Sequence, residues 1–234
     1  MSLKTKMIQM KHIKQILLIA IAVLLLDACG NTDKPKQTHS NSNRLLKVAC
    51  VGDSITAGTG LNNPAQSSYP AQLRILLGDE WRVNNFGISG TTVTKSGDRP
   101  FWNTSAFASS HNSNPDIVVI MLGTNDAKPK NWVNKAHFIS DYVELINTYK
   151  TLPSSPKIYI CYPPPVYGTV AGITDSRIRN EMIPKIQEVA LKAGVYTIDL
   201  YTKMSGKQEL FPDKVHPDAN GARQISQIVY ENIY

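Results

Sequence analysis

Five short strand-like runs, most of them apolar and the second weaker than the others, alternate with stretches of helical periodicity and constrain the fold of this chain more than any other feature of its sequence. The runs cover residues 45–51, 81–86, 117–122, 157–162 and 195–200, and four of them stop directly at a glycine or a proline. Apolar residues recur at helical spacing over residues 69–77, 131–150, 177–193 and 220–233. Pro184 is expected to kink or split the third of these helices. Apolar runs without polar alternation are typical of parallel strands buried on both faces.

Strands that alternate with helices predict an α/β domain in which helices cover both faces of one parallel sheet. We therefore expect a three-layer α/β/α sandwich with a five-stranded parallel sheet. Right-handed crossovers make the flavodoxin-like strand order the simplest arrangement. Functional groups in such a sheet gather beyond the carboxyl ends of the strands, so the polar residues at those ends are the candidates for a functional site.

The first 43 residues differ in composition from the rest, and the domain is expected to span residues 44–234. Residues 1–28 begin with a lysine-containing segment, which is followed by an apolar run too short for a permanent transmembrane helix. This pattern is typical of a secretory signal. Cys29 follows directly and resembles the lipidated cysteine of bacterial lipoprotein signals; the alternative is a plain signal peptide with an incidental cysteine. Residues 29–43 lack large apolar side chains and are predicted to form a flexible tether. We therefore expect an exported protein of the bacterial cell envelope, held at the membrane by a lipid on Cys29.

The formal net charge of +7 does not indicate a nucleic-acid partner. Four lysines and one acidic residue lie in the first 28 residues, which leaves 21 basic against 17 acidic residues and no arginine-rich stripe. Cys50 and Cys161 lie in apolar runs. Two thiols of an exported protein could pair, but buried unpaired cysteines are favoured here.

Three loops that follow predicted strands carry polar residues and glycines. Ser54 follows Gly52 and Asp53 at the end of the first strand, where its hydroxyl could act as a nucleophile or could only cap a helix. A phosphate-binding loop is disfavoured because both GxGxxG and a Gly-Lys-Ser/Thr ending are missing. Gly90 could offer a backbone N–H to an anion after the second strand, and Asn125 a side-chain N–H after the third. Ordinary turns would favour the same residue types.

Asp213 and His216 lie three residues apart in the loop before the last helix. At that spacing the carboxylate can accept a hydrogen bond from one imidazole nitrogen, which leaves the other free to take a proton from a serine. A surface pair without a role is the alternative. Among the five histidines, only His216 combines a strand-end location with a nearby acid. Asp199 is the competing carboxylate, although its place in an apolar run favours a structural role.

The order of these segments resembles that of the SGNH (GDSL) hydrolase family. Gly-Asp-Ser at 52–54, the glycine at 90, Gly-x-Asn-Asp at 123–126 and Asp-x-x-His at 213–216 match its four sequence blocks in order. The resemblance extends over residues 46 to about 230, which is nearly the whole predicted domain.

The resemblance implies a flavodoxin-like fold and the hydrolysis of esters without a metal or cofactor. It assigns Ser54 as the nucleophile, His216 as the base and Asp213 as the carboxylate that orients it. It also implies an oxyanion hole formed by the N–H groups of Ser54 and Gly90 and by the Asn125 side chain.

The expected substrate is an acetyl ester on a carbohydrate. The predicted export and an aromatic-rich set of loops motivate this choice. Aromatic side chains can stack on sugar rings, although they can also serve only to pack the loops. The aromatic residues considered are Tyr69, Phe101, Trp102, Trp132, Tyr162 and Tyr167. A peptidoglycan acetate is an option in the same class. A lysophospholipase or thioesterase-like enzyme for longer acyl chains is the alternative, and it would need an apolar acyl groove. A non-catalytic glycan-binding lipoprotein is disfavoured by the complete set of site residues.

Overall fold

The computed structural model describes residues 44–234, in which five parallel strands form one sheet. The predicted signal, Cys29 and the tether lie outside the described residues. The strands of the chain are, in order, β1 (Leu46–Gly52), β2 (Trp81–Gly87), β3 (Ile117–Met121), β4 (Lys157–Tyr162), β5 (Thr169–Val170), β6 (Ile173–Thr174) and β7 (Tyr196–Asp199). The sheet has the order β2–β1–β3–β4–β7, while β5 and β6 form a separate antiparallel hairpin. The predicted fold class and the flavodoxin-like order are therefore confirmed.

Alternate residues of the strands point to two separate cores, one on each face of the sheet. On the first face, Ala49, Val118 and Ile160 pack in a cluster with helical residues from 138–149 and 178–193. On the second face, Cys50, Val119 and Cys161 pack in a cluster with helical residues from 69–77 and 222–233. The strands β1, β3 and β4 are buried on both faces along most of their length, which is why their sequences are largely apolar. The edge strand β2 is only partly buried and carries polar residues.

Ten α-helices cover the sheet in residues 44–234, five of them only three to five residues long. They are α1 (Ser54–Ala57), α2 (Pro64–Ser67), α3 (Tyr69–Leu77), α4 (Ser105–Asn112), α5 (Pro129–Trp132), α6 (Phe138–Lys150), α7 (Asp175–Arg177), α8 (Ile183–Ala193), α9 (Leu200–Met204) and α10 (Ala219–Ile233). No helix in this part of the chain is both long and apolar enough to cross a membrane. Cys50 and Cys161 are buried and unpaired, as favoured above.

The helix predicted over residues 131–150 is in fact two helices, α5 and α6, separated by a turn. The rings of Trp132 and Phe138 meet edge to face at 5.9 Å, and both are buried in the same core. Six residues correspond to about 240° around a continuous α-helix, so one unbroken helix could not turn both rings to one core. The chain breaks between them instead.

The helix predicted over residues 177–193 is split, as Pro184 suggested. A π-helical turn, Ile178–Met182, joins α7 to α8. Pro184 lies in the first turn of α8, where a residue without an N–H loses no hydrogen bond. Helical periodicity did not indicate α4, because most of its residues are polar or small. Thr104 caps this helix by accepting a hydrogen bond from the Phe107 N–H.

Candidate active site

Ser54 lies at the first turn after β1, where the strand passes directly into α1. Asp53, and not Ser54, caps this helix, because the Asp53 carboxylate accepts a hydrogen bond of 3.0 Å from the Ile55 N–H. The capping role weighed for Ser54 is therefore wrong, and its hydroxyl is left for another partner. A side chain at Gly52 would place its Cβ 2.1 Å from the Thr56 Oγ1 and 2.7 Å from the Met121 carbonyl oxygen. Only glycine permits so close an approach of the strand end to its neighbours.

The partner of the Ser54 hydroxyl is His216, which comes from a loop 162 residues further along the chain. The Ser54 Oγ lies 2.7 Å from the His216 Nε2, and the His216 Nδ1 lies 2.5 Å from the Asp213 Oδ2. Since an ionised carboxylate only accepts, Nδ1 carries the proton and Nε2 is free to accept one from the serine. The structure thus brings Ser54 together with Asp213 and His216, which the sequence analysis placed in the loop before the last helix.

The loop from Asp213 to His216 is held in a tight turn by the same carboxylate. The Asp213 Oδ1 accepts hydrogen bonds from the backbone N–H groups of Val215 and His216, at 3.0 and 2.6 Å. Lys214 has a φ of +75°, a conformation that is uncommon outside glycine. Partial burial acts to raise the pKa of Asp213, but the hydrogen bonds from His216 and Val215 outweigh it and lower the pKa below its ordinary value. The carboxylate is therefore ionised at neutral pH.

Asn125 follows β3 and is linked to the serine turn through Asp53. Its Nδ2 donates to the Asp53 Oδ2 at 3.2 Å, while its backbone carbonyl accepts from the Asn131 side chain at 2.8 Å. The amide group of Asn125 is buried and carries two N–H donors, so one donor holds it against Asp53 and the second remains for a ligand. Its Oδ1 and Nδ2 are distinguished by this bond, because a carboxylate cannot donate.

Gly90 lies in the loop after β2 and has a φ of +82°, which favours glycine. This loop is bound to the end of β1, since the Ile88 N–H donates to the Gly52 carbonyl at 3.0 Å. The Arg99 guanidinium donates to the Ser89 carbonyl at 2.7 Å and covers the same segment. Gly90 makes no direct hydrogen bond to Ser54 or Asn125, so its assignment to the oxyanion hole stays a prediction.

Asp126 organises the loops on both sides of β1, a role that the sequence analysis missed. Its carboxylate is buried and accepts three hydrogen bonds of 2.9 Å, from the N–H groups of Val93 and Thr94 and from the Thr94 hydroxyl. These bonds tie the loop that carries Gly90 to the loop that carries Asn125. The Gly-x-Asn-Asp segment contained this residue, but nothing in its spacing indicated which N–H groups it would accept from.

Burial raises the pKa values of both Asp53 and Asp126 to about 6, although their hydrogen bonds from backbone N–H groups act in the opposite direction. For Asp53, the positive charge of Lys128 also acts to lower the pKa, as does that of His216 when its imidazole is protonated. Two buried carboxyl groups thus lie within the loops of the candidate site, one next to Ser54 and one next to Asn125.

The aromatic residues considered for sugar stacking are mostly occupied elsewhere. Tyr69, Phe101 and Trp132 are buried in the cores and cannot stack on a ligand. Trp102 donates its indole N–H to the Val93 carbonyl, and Tyr167 donates its hydroxyl to the Met204 carbonyl.

Of the other candidates, Asp199 caps α9 by accepting from the Thr202 N–H at 2.8 Å, which confirms its structural role. Within residues 44–234, no group of three or more His, Cys, Asp or Glu side chains is placed to hold a metal ion.

A serine hydroxyl hydrogen-bonded to an imidazole, which is in turn hydrogen-bonded to a carboxylate, is the arrangement that defines serine hydrolases. It occurs on several unrelated folds. The family model of GDSL-like lipases and acylhydrolases matches residues 50–224, and this chain belongs to that family. This confirms the resemblance drawn from the four sequence segments.

Individual relatives agree with the family assignment. An acetylxylan esterase of Xylanibacter ruminicola is 37% identical in an alignment of 202 residues, and the match covers 79% of this chain and 42% of that protein. The chain therefore spans less than half the length of that curated relative. A carbohydrate acetylesterase from Sinorhizobium meliloti has a similar structure, with a TM-score of 0.66, 19% identity and coverage of 80% of this chain and 98% of its own. An aryl esterase of M. smegmatis also has a similar structure, with a TM-score of 0.63 and 20% identity, and the match covers 80% of this chain and 98% of that chain. At these identities, the two structures support the fold alone.

Proposed function

We propose that this protein is a serine esterase that removes acetyl groups from carbohydrate. The observation that carries the proposal is the pair of hydrogen bonds that link the Ser54 Oγ to the His216 Nε2 and the His216 Nδ1 to Asp213. The acetyl and carbohydrate parts are supported by the name of the relative that is 37% identical, an acetylxylan esterase.

The first half of the reaction forms an acyl-enzyme. A serine hydroxyl is a weak nucleophile at neutral pH and needs an adjacent base. The His216 Nε2 takes the Ser54 proton as Oγ bonds to the carbonyl carbon of the ester, and the carbonyl π electrons move onto its oxygen. When the tetrahedral intermediate collapses, the bond to the sugar oxygen breaks and His216 returns the proton to that oxygen. Asp213 stabilises the imidazolium between these two transfers.

The second half repeats the same transfers with water. His216 removes a proton from a water molecule as its oxygen attacks the acetyl carbon, and it then protonates the Ser54 Oγ as acetate leaves. The negative oxygen of both tetrahedral intermediates needs fixed donors. We assign that role to the free N–H of the Asn125 amide and to the backbone N–H groups of Ser54 and Gly90, each worth about 3–4 kcal/mol in such a site.

Acyl-chain length and the nature of the alcohol test this proposal. We expect wild type to hydrolyse p-nitrophenyl acetate much faster than the butyrate and octanoate, and to release acetate from acetylated xylan. Ser54→Ala should do neither. A rate that rises from acetate to octanoate would favour the lysophospholipase or thioesterase-like alternative. The absence of hydrolysis of every ester would leave a glycan-binding protein.

We further propose that Cys29 carries a lipid that holds the protein in the cell envelope. The apolar run at residues 16–26 followed by Cys29 supports this. In a bacterial host, wild type should label with a radioactive fatty acid and sediment with membranes, whereas Cys29→Ser should remain unlabelled. Equal labelling of both proteins would contradict the assignment.

A further inference from the structure

We propose that a cavity of about 430 Å³ beside His216 binds the carbohydrate part of the ester, which leaves as the alcohol when the acyl-enzyme forms. This inference rests on the proposed function and extends it, because it assigns the residues that recognise the sugar. The cavity is formed by the segment between α1 and α2 and by the loop that carries Asp213 and His216.

The position of the cavity relative to the reacting groups indicates which part of the ester it takes. The leaving oxygen must lie next to the His216 Nε2, because that nitrogen protonates it. The carbonyl oxygen must instead face the oxyanion donors. Both His216 and Asp213 line the cavity, whereas Ser54, Gly90 and Asn125 do not. The cavity therefore lies beside the proton-transferring histidine and apart from the oxyanion donors, which is where an alcohol that extends from the leaving oxygen past His216 would lie.

The segment between α1 and α2 is shaped to approach the histidine loop. Gly58 and Gly60 have φ values of +83° and +87°, and these two left-handed residues turn the chain back after α1. A Cβ added to Gly60 would lie 4.0 Å from the Cβ of His216, so the two loops are in contact. Asn62 and Asn63 follow directly and line the cavity.

The polar groups of the cavity suit sugar hydroxyls. Asn63 occupies the N-cap position of α2 but makes no capping hydrogen bond with its side chain, so its amide is available to a ligand. Asp218 caps α10 with its Oδ1, 2.7 Å from the Gly221 nitrogen, and its second oxygen can accept from a hydroxyl. Leu61 and Pro217 supply apolar surface for the C–H groups of a sugar ring.

The volume of the cavity also favours the sugar over the acyl group. Sites for small molecules range from about 300 to 1,000 Å³, and this cavity lies within that range. A two-carbon acetyl group would leave most of it empty, whereas one or two sugar rings would fill it.

The test compares two acetyl esters that differ only in the alcohol. For wild type, Asn63→Ala and Asn62→Ala, kcat/KM is measured on acetylated xylo-oligosaccharides and on p-nitrophenyl acetate. We expect the ratio of the two values to fall about tenfold in each variant. Asn112→Ala is the matched control, because Asn112 is exposed at the end of α4 and outside the cavity. Its ratio should equal that of wild type.

Equal ratios in the wild type and both cavity variants would overturn the proposal. A second substitution, Asn63→Phe, fills the cavity with an apolar ring. If it reduces hydrolysis of p-nitrophenyl butyrate but not of the acetylated oligosaccharides, the cavity holds the acyl chain and the proposal is wrong.

Inhibition by free xylobiose separates this proposal from the proposed function. Xylobiose should inhibit hydrolysis of p-nitrophenyl acetate competitively, with an inhibition constant about fivefold higher in Asn63→Ala. If wild type releases no acetate from oligosaccharides, the proposed function fails, and the inhibition still decides whether the cavity binds sugar. An inhibition constant unaffected by Asn63→Ala, or no inhibition, would refute sugar binding in this cavity.

Discussion

Replacing Asp213 by asparagine should remove the base without unfolding the site. The Asp213 Oδ1 accepts from two backbone N–H groups and the Oδ2 faces the His216 Nδ1. In Asp213→Asn the single amide oxygen keeps the two backbone bonds, so the NH₂ group faces Nδ1. An NH₂ group can only donate, which forces the proton of the neutral imidazole onto Nε2. That nitrogen then donates to Ser54 and cannot accept its proton.

The size of the loss follows from the exposure of the carboxylate. The corresponding substitution costs about 10⁴ in kcat where the aspartate is buried. The Asp213 side chain is 55% exposed, so in Asp213→Asn water can compete with the amide for the His216 Nδ1. This competition reduces the preference for the inactive tautomer, in which Nε2 carries the proton. We therefore expect kcat on p-nitrophenyl acetate to fall by about 10²–10³, or roughly 3–4 kcal/mol in the activation free energy. The free energy of unfolding in urea should change by less than about 1 kcal/mol, since the group is largely solvated.

Two further variants separate the tautomer from the loss of charge. Asp213→Ala leaves room for water at Nδ1 and should retain several-fold more activity than Asp213→Asn. Glu209→Gln removes an exposed negative charge four residues before Asp213 and should behave as wild type. If Asp213→Asn keeps kcat within tenfold of wild type, the reasoning about the tautomer is refuted.

Three other predictions concern the reaction and the buried carboxyl groups. Ser54→Ala and His216→Ala should each lower kcat by about 10⁴–10⁶ with an unchanged circular dichroism spectrum; activity within a hundredfold of wild type would contradict their roles. Asn125→Ala should lower kcat on p-nitrophenyl acetate by about 10²–10³, and a loss under threefold would exclude it from the oxyanion hole. Burial raises the pKa values of Asp53 and Asp126 to about 6, above the value of about 4 expected in the unfolded chain. The folded protein is therefore most stable below about pH 4, where both groups are protonated, and it loses this stability as the pH rises through 6. Urea unfolding from pH 4 to 7 should show a loss of about 3 kcal/mol per group, and Asp126→Asn should remove about half of this pH dependence; an identical dependence in the variant would refute the assignment.

The contact between Ser54 and His216 could be predicted although the residues are far apart in sequence. Each follows a strand of one parallel sheet, and the carboxyl ends of such strands share one edge. Strand periodicity therefore placed both residues at one edge of the sheet, and the resemblance to the SGNH hydrolases then implied their pairing as nucleophile and base. The runs at 45–51 and 117–122 were informative for the same reason, since burial on both faces leaves few polar positions within them.

The roles of Asp53 and Asp126 could not be predicted in this way. Which N–H group a carboxylate accepts from depends on the path of the loops, and neither spacing nor composition specifies that path. The burial of Tyr69 and Trp132 and the break before Phe138 were missed for a related reason. Each depends on where a ring finds space in the core, which is a property of the assembled helices and not of one segment.

The common direction of the strands has a consequence for how the domain can be attached. The polypeptide enters the sheet at Leu46, and the reacting hydroxyl lies beyond the opposite end of the same seven-residue strand, about 23 Å away at roughly 3.3 Å per residue. The nucleophile and the residue at which the chain enters the sheet are thus at opposite ends of β1. A long polymer can therefore reach the serine without passing the point at which the chain enters the domain.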